Sequence, residues 1–271
     1  MSTSQVMRRL LVVNCLLFLF VASAFGQAAQ TKDFQPQVGQ EGKDVVWVPT
    51  PQPLVDKILD IAKVTPQDYV IDLGSGDGRT VITAAKRGVK ALGIEYNPDM
   101  VELSKRNAAT ERVTDRATFV KADLFETDFS QASVITMFLL PDINLQLRPK
   151  ILDLRPGTRI VSNTFTMGEW NADETATITE GCTSWCTALL WIVPAKVEGT
   201  WRLPQGELKL TQSFQTVSGT LNNTAISDGK LNGTEISFTA GGSRYTGRVN
   251  GNTIDGTATG GTNGQWRATR P

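Results

Sequence analysis

Hydrophobic and polar positions follow two different periods along this chain. From residue 52 to residue 165, apolar stripes at helical spacing alternate with short runs of aliphatic and β-branched residues. This alternation predicts repeated strand–helix–strand units, and therefore an α/β fold with a mostly parallel, doubly wound sheet. The segment from Ser130 to Leu140 is almost continuously apolar, which predicts a strand covered by helices on both faces.

Two further strand-like segments, Thr175 to Thr179 and Thr187 to Val193, end this region. The short link between them, residues 180–186, forces an antiparallel hairpin. The link carries Cys182 and Cys186, the only cysteines outside the N-terminal apolar run. From spacing alone, a disulfide and two free thiols are both open.

The period changes to two after Pro194, where the chain becomes rich in Gly, Thr, Asn and Ser. Asn-Gly pairs at 232–233, 250–251 and 263–264 are typical of tight hairpin turns. For residues 196–271 we predict an antiparallel β meander of about seven or eight strands, curled or closed into a small barrel.

The N-terminus has the three parts of a secretory signal peptide. Arg8-Arg9 precedes an apolar run from Leu10 to Phe25, and Ala22-Ser23-Ala24 supplies a small-residue cleavage pattern. This predicts a signal peptide over residues 1–26, a flexible leader over residues 27–43, and export of the protein. An uncleaved membrane anchor is the alternative, because the run is only slightly short of a full span.

The strongest chemical signal follows the first predicted parallel strand. This strand ends at Asp72 and Leu73, and the turn after it contains Gly74, Ser75, Gly76 and Gly78. Such a turn before a helix presents backbone N–H groups, and its glycines let a ligand approach the main chain. A dinucleotide fingerprint would need glycine where Arg79 stands, and Asp72 would repel a pyrophosphate. S-adenosylmethionine (SAM), with its positive ammonium and sulfonium, fits the turn.

Two more acids close the next predicted strands. Glu95 ends the second strand and is placed to accept the ribose hydroxyls. Asp123 follows the third strand and can accept the adenine amino group, with Leu124 packing on the base. Each acid alone is also what an ordinary solvated strand end shows. Together they predict a SAM pocket along the carboxyl edge of the sheet.

An extended, proline-stiffened stretch precedes the first helix. Trp47 and Thr50 lie in it and are candidates for a lid over the cofactor, although ordinary packing explains Trp47 equally well.

The charge balance narrows the chemistry. The chain has 27 Lys and Arg, 27 Asp and Glu, and 0 His. A balanced charge gives no broad basic field for nucleic acid. The lack of histidine excludes histidine-based catalytic triads and most zinc sites, so no metal site is expected.

From Val48 to Trp170 the chain resembles the class I SAM-dependent methyltransferases, which have a Rossmann-like fold. Within them it is most similar to the membrane-anchored protein-lysine N-methyltransferases of mitochondria that act on ATP synthase or on the adenine nucleotide carrier. The stretches that carry the resemblance are residues 71–79, 93–98, 122–124, 129–131, 138–141, 159–162 and 165–170. The resemblance implies a methyltransferase domain over residues 44–195, with Asp72, Gly74, Gly76, Glu95 and Asp123 contacting the cofactor. Asp99-Met100, the cysteine hairpin and the C-terminal module depart from it.

The resemblance also places Phe138 to Pro141 at the mouth through which an acceptor lysine enters. An apolar mouth would desolvate the lysine amine and lower its pKa. Asp142 could take the proton or cap the following helix. We therefore expect Phe138, Pro141 and Asp142 to form the acceptor side, with Phe165 and Trp170 either lining the channel or packing in the core.

Protein-lysine methylation is thus the expected function, with a methyl-acceptor protein as partner and an association with the cell envelope or membrane. A small-molecule methyltransferase is one alternative, and an exported binding protein with a relic SAM-type fold is another. Export is in tension with SAM synthesis in the cytosol.

Overall fold

The computed structural model describes residues 34–204 and 206–270, and within them the first β-sheet has seven strands in the order β3-β2-β1-β4-β5-β7-β6. The strands are β1 (Tyr69–Leu73), β2 (Lys90–Glu95), β3 (Ala117–Lys121), β4 (Val134–Met137), β5 (Arg159–Asn163), β6 (Glu174–Thr177) and β7 (Thr187–Ile192). The first five are parallel, and β7 runs antiparallel to β5 and β6. This confirms the predicted Rossmann-like sheet with a terminal antiparallel hairpin.

Four helices connect and cover the parallel strands: α1 (Gln52–Ile61), α2 (Arg79–Lys86), α3 (Pro98–Thr110) and α4 (Pro141–Leu152). Prolines begin or closely follow the start of α1, α3 and α4, where a missing backbone N–H costs nothing. At α3 the Asn97 side chain also accepts a hydrogen bond from the Asp99 N–H group, which caps the helix.

The strand predicted from Ser130 to Leu140 is shorter in the structure, where β4 spans only Val134–Met137. Ala132 lies in a turn before the strand, and its N–H donates to the Phe129 carbonyl. Leu139 has left the sheet, yet both Ala132 and Leu139 are buried. Apolarity there reports burial in the core rather than strand pairing.

The second sheet is a closed antiparallel barrel, as the alternating pattern predicted. Its strands are β8 (Gly199–Leu203), β9 (Gly206–Ser213), β10 (Thr216–Leu221), β11 (Thr224–Ala225), β12 (Ser227–Asn232), β13 (Glu235–Ala240), β14 (Ser243–Asn250), β15 (Thr253–Gly260) and β16 (Gly264–Thr269). Pairing of β9 with β10 closes the ring, and the short β11 pairs beside β10. Trp201 and Trp266 are both buried in the barrel interior.

The barrel packs against the methyltransferase-like region through the turn between β9 and β10. The Phe214 ring stacks on Trp170 with centroids 5.9 Å apart, and the Gln215 side chain donates to the Asn171 carbonyl at 2.8 Å. Trp170 is fully buried, and its carbonyl accepts a 2.7 Å hydrogen bond from the Trp191 indole. Trp170 is therefore a core residue beneath the barrel, and it does not line an acceptor channel.

The predicted signal peptide, residues 1–26, and residues 27–33 of the leader lie outside the described residues. The leader prediction extends too far, because residues 37–43 are folded rather than flexible. The Gly39 N–H donates to the Trp47 carbonyl at 2.9 Å, and the Trp47 N–H donates to the Gln40 carbonyl at 2.8 Å. The described part of the chain contains no helix with the length and apolarity needed to cross a membrane.

Candidate functional site

The glycine turn joins β1 to α2 at the carboxyl edge of the sheet. Gly74, Gly76 and Gly78 have φ values of +75°, +54° and +83°, a region that side chains with a Cβ rarely adopt. A Cβ on Gly76 would stand 2.7 Å from the indole nitrogen of Trp47. The turn therefore requires glycine both for its backbone conformation and for the close approach of another group.

Three acids from successive strands meet in one pocket beside this turn: Asp72, Glu95 and Asp123. Other predicted site residues that line the same pocket are Gly74, Ser75, Gly76, Leu124 and Phe138. Gly78 lies outside the lining and instead precedes the first residue of α2. The structure thus brings the predicted cofactor residues together, with Gly78 shaping the turn; their contacts with SAM remain a prediction.

Asp72 is the most deeply placed of these acids, with 6% of its surface exposed. Its Oδ1 accepts a 2.6 Å hydrogen bond from the Thr136 hydroxyl. Burial raises the pKa of Asp72 to about 7; the Thr136 hydrogen bond lowers it, and the negative charges of Glu95 and Asp77 add to the increase. A cationic group bound beside Asp72 would stabilise its ionised form.

Glu95 connects the second strand to the glycine turn. Its Oε2 accepts from the Gly76 N–H and its Oε1 from the Asn97 N–H, both at 2.9 Å. Each carboxylate oxygen keeps a second lone pair that can accept a hydroxyl. This arrangement suits the two hydroxyls of a ribose.

Asp123 has a partner that the sequence did not reveal. Its Oδ2 lies 2.5 Å from the Lys43 ammonium, which holds the pKa of Asp123 below its ordinary value. The same ammonium lies 5.1 Å from the centroid of the Tyr96 ring and 5.7 Å from that of Phe125. Lys43 gave no signal in the sequence because it is an isolated charge in a stretch without periodicity. It fastens residues 40–50, hereafter the strap, across the pocket.

Both lid candidates lie in this strap and line the pocket. Trp47 is half-buried with its indole against the glycine turn. The Thr50 carbonyl accepts a 2.9 Å hydrogen bond from Arg79, which also pairs with Asp77 at 2.5 Å. Arg79, the residue that replaces the third dinucleotide glycine, therefore holds the base of the strap to the start of α2.

On the acceptor side, only Phe138 of the three predicted residues lines the pocket. Pro141 and Asp142 lie exposed in the first turn of α4, outside the pocket lining, because the chain turns away from the sheet after Leu140. The structure shows no side-chain capping bond at this helix start, so Asp142 is not its cap. Phe165 stacks on Phe138 with ring centroids 5.8 Å apart.

Comparison with known proteins agrees with this geometry. The family model described as the ANTKMT methyltransferase domain matches residues 72–174. A protein-lysine N-methyltransferase of Saccharolobus islandicus is 46% identical over 140 residues, which cover 51% of this chain and 87% of that protein. A lysine N-methyltransferase of Homo sapiens that is named for ATP synthase is 34% identical over 47% of this chain, and the match spans about half of its own length, 54%.

Among solved structures, an RNA methyltransferase from Salinibacter ruber in complex with S-adenosylhomocysteine is similar with a TM-score of 0.52 and 43% identity. The match covers 55% of this chain and 96% of that one. Glycines without a Cβ beside the pocket, together with acids for an ammonium, a ribose and an amino group, fit SAM as the cofactor. The chain therefore belongs to the ANTKMT-type family of methyltransferases and uses S-adenosylmethionine.

Proposed function

We propose that this protein transfers the methyl group of SAM to the ε-amino group of a lysine in another protein. The observation that carries the proposal is a second cleft, which shares Phe138 and Leu139 with the cofactor pocket and opens to solvent beside it. The similar enzymes from Saccharolobus islandicus and Homo sapiens are both named lysine N-methyltransferases. The pocket would hold the cofactor, and the cleft would hold the lysine.

Bound SAM supplies a methyl group on a positive sulfur, ready for in-line displacement. Asp72 would bind its ammonium, Glu95 its ribose hydroxyls and Asp123 its adenine amino group. The strap would keep water out on the side of Trp47. Such positioning alone can lower a barrier by roughly 7–11 kcal/mol.

The acceptor nitrogen must be unprotonated when the methyl is transferred. Phe138 and Leu139 form an apolar passage between the cleft and the pocket. An amine that enters this passage loses hydration, which lowers its pKa and favours the neutral form. The passage can therefore prepare a lysine without a dedicated histidine base.

RNA is a second candidate acceptor, since the similar Salinibacter ruber protein is described as an RNA methyltransferase. Two observations favour lysine over RNA. Positive and negative charges balance at 27 each. The cleft is also lined by the carboxylates Glu41 and Asp44, which repel phosphates.

The test supplies the full chain and methyl-tritiated SAM to three fractions of the source cells: protein, RNA and small metabolites. We expect label in methyl-lysine after acid hydrolysis of the protein fraction. The label should be lost in a Glu95→Ala variant and kept in a Glu102→Ala control, whose acid is exposed on α3 outside the pocket. Label confined to RNA or to metabolites would overturn the lysine assignment. A folded wild-type chain that binds no SAM would favour a relic fold.

We also propose that the protein is exported or held at the membrane by its N-terminal apolar run. The disulfide between Cys182 and Cys186 supports this, because such bonds persist in oxidising compartments. N-terminal sequencing of the mature protein tests the mode: a start near Gln27 indicates cleavage, and an intact Met1 in the membrane fraction indicates an anchor. Recovery from the cytosol with both thiols reduced would refute the proposal.

A further inference from the structure

The link between β6 and β7 holds an exposed tryptophan. A disulfide closes residues 182–186 into a small loop, with the two Cα atoms 5.8 Å apart. Trp185 lies inside this loop, has φ of +54°, and exposes 44% of its surface. A large apolar side chain held in solvent by a covalent constraint is costly for the fold, which points to a binding role.

The topology of the sheet brings this tryptophan to the cofactor side. Phe138 follows the end of β4, and Phe165 follows the end of β5. Since β7 is antiparallel to β5, the residues before β7 lie at the same edge of the sheet. The ring of Trp185 is 6.0 Å from that of Phe138, tilted by 59°, and Phe165 stacks on the other side of Phe138.

These three rings form one wall of the cleft described above, and residues 41–46 of the strap form the facing wall. The strap contributes the carboxylates of Glu41 and Asp44. The intervening Lys43 is directed to Asp123 instead. Aromatic faces together with carboxylates attract cations, and an aliphatic stem packs well on the same rings.

We propose that Trp185, held in place by the Cys182–Cys186 disulfide, is a specificity-determining residue that binds the cationic side chain of the acceptor. The inference rests on the proposed lysine methylation and deepens it. Its occupant is a lysine side chain of a partner protein, selected by its charge over neutral side chains of the same shape. Reduction of the disulfide frees the loop, so binding of the acceptor becomes sensitive to redox conditions.

The test uses n-butylammonium as a mimic of the lysine side chain and n-butanol as its neutral isostere. Binding to the full chain, saturated with S-adenosylhomocysteine, is followed by ligand-observed saturation-transfer NMR. We expect the wild type to prefer the ammonium, and Trp185→Ala to weaken its binding by roughly fivefold, the ratio given by about 1 kcal/mol of cation–π attraction. Trp185→Phe should restore much of the affinity. Val120→Ala, which shortens an equally exposed residue on β3, should change nothing.

The Cys182→Ser/Cys186→Ser double variant and the wild type under reducing conditions should both lose part of the preference for the ammonium. Binding of S-adenosylhomocysteine, measured by calorimetry, should stay unchanged in every variant. Equal binding of n-butylammonium to wild type and Trp185→Ala, or equal binding of n-butanol, would overturn the inference while lysine methylation stands. Loss of S-adenosylhomocysteine binding in the wild type would instead overturn the proposed function.

Discussion

Replacing Asp72 with asparagine should make the protein more stable and yet unable to hold its cofactor. Asparagine keeps an oxygen that can accept the Thr136 hydroxyl, and it removes the buried negative charge. A folded-state pKa of about 7, against an ordinary value of 3.8, means that the fold opposes ionisation of this carboxyl. At about 1.4 kcal/mol per pKa unit, the penalty at pH 8 is on the order of 4 kcal/mol.

The sign of the pH dependence follows from the raised pKa. Below about pH 4 the carboxyl is protonated in both the folded and the unfolded chain, so Asp72 and asparagine should give similar stability. As the pH rises towards 7 the unfolded chain ionises first, and the wild type loses stability relative to Asp72→Asn. Above pH 7 the difference should become constant. At full size it corresponds to a melting temperature raised by about 10 °C.

Urea denaturation of wild type and variant at several pH values between 5 and 8.5 measures this difference. Other titrating groups cancel because both chains carry them, and Glu102→Gln provides a control in which an exposed acid is removed. Calorimetry should show cofactor binding to Asp72→Asn weakened by about 100-fold, since a charge-assisted hydrogen bond is lost. A variant less stable than the wild type at pH 8, or a stability difference that does not change with pH, would refute the reasoning.

Three further expectations follow from other contacts. SAM should bind about tenfold more tightly at pH 8 than at pH 6, with nearly one proton released per SAM at pH 6, because binding requires ionised Asp72; calorimetry in buffers of different ionisation heat measures this, and a flat profile contradicts it. Lys43→Ala should speed release of S-adenosylhomocysteine in stopped-flow experiments, because the strap loses its contact with Asp123; an unchanged rate would show that the strap is held elsewhere. Phe214→Ala should lower the unfolding free energy by about 3 kcal/mol, because the ring covers Trp170; a loss below 1 kcal/mol would show that the stack contributes little.

Much of the fold and the cofactor pocket could be predicted because both depend on local pattern. Parallel strands carry their carboxyl ends to one edge, so acids such as Glu95 and Asp123 had to converge wherever the strands ended. The Asn-Gly pairs likewise indicated the hairpins of the barrel.

The rest depends on contacts between residues far apart in the chain. Lys43 meets Asp123 across 80 positions, and no periodicity marks such a pair. The place of Trp185 depends on the direction of β7 and on the disulfide, which the sequence alone left open. Asp142 was misplaced because the chain leaves the sheet at Leu140, a turn that continuous apolarity conceals.

The cover that Phe214 and Gln215 place over Trp170 has a consequence for biosynthesis. The ribosome completes the methyltransferase region before it makes the barrel, so an unfinished chain exposes a large indole to solvent. Chains that stop early would present this surface to chaperones and proteases, and only full-length chains would conceal it. The barrel thereby acts as a check on complete translation, although it contributes nothing to the lining of the cofactor pocket.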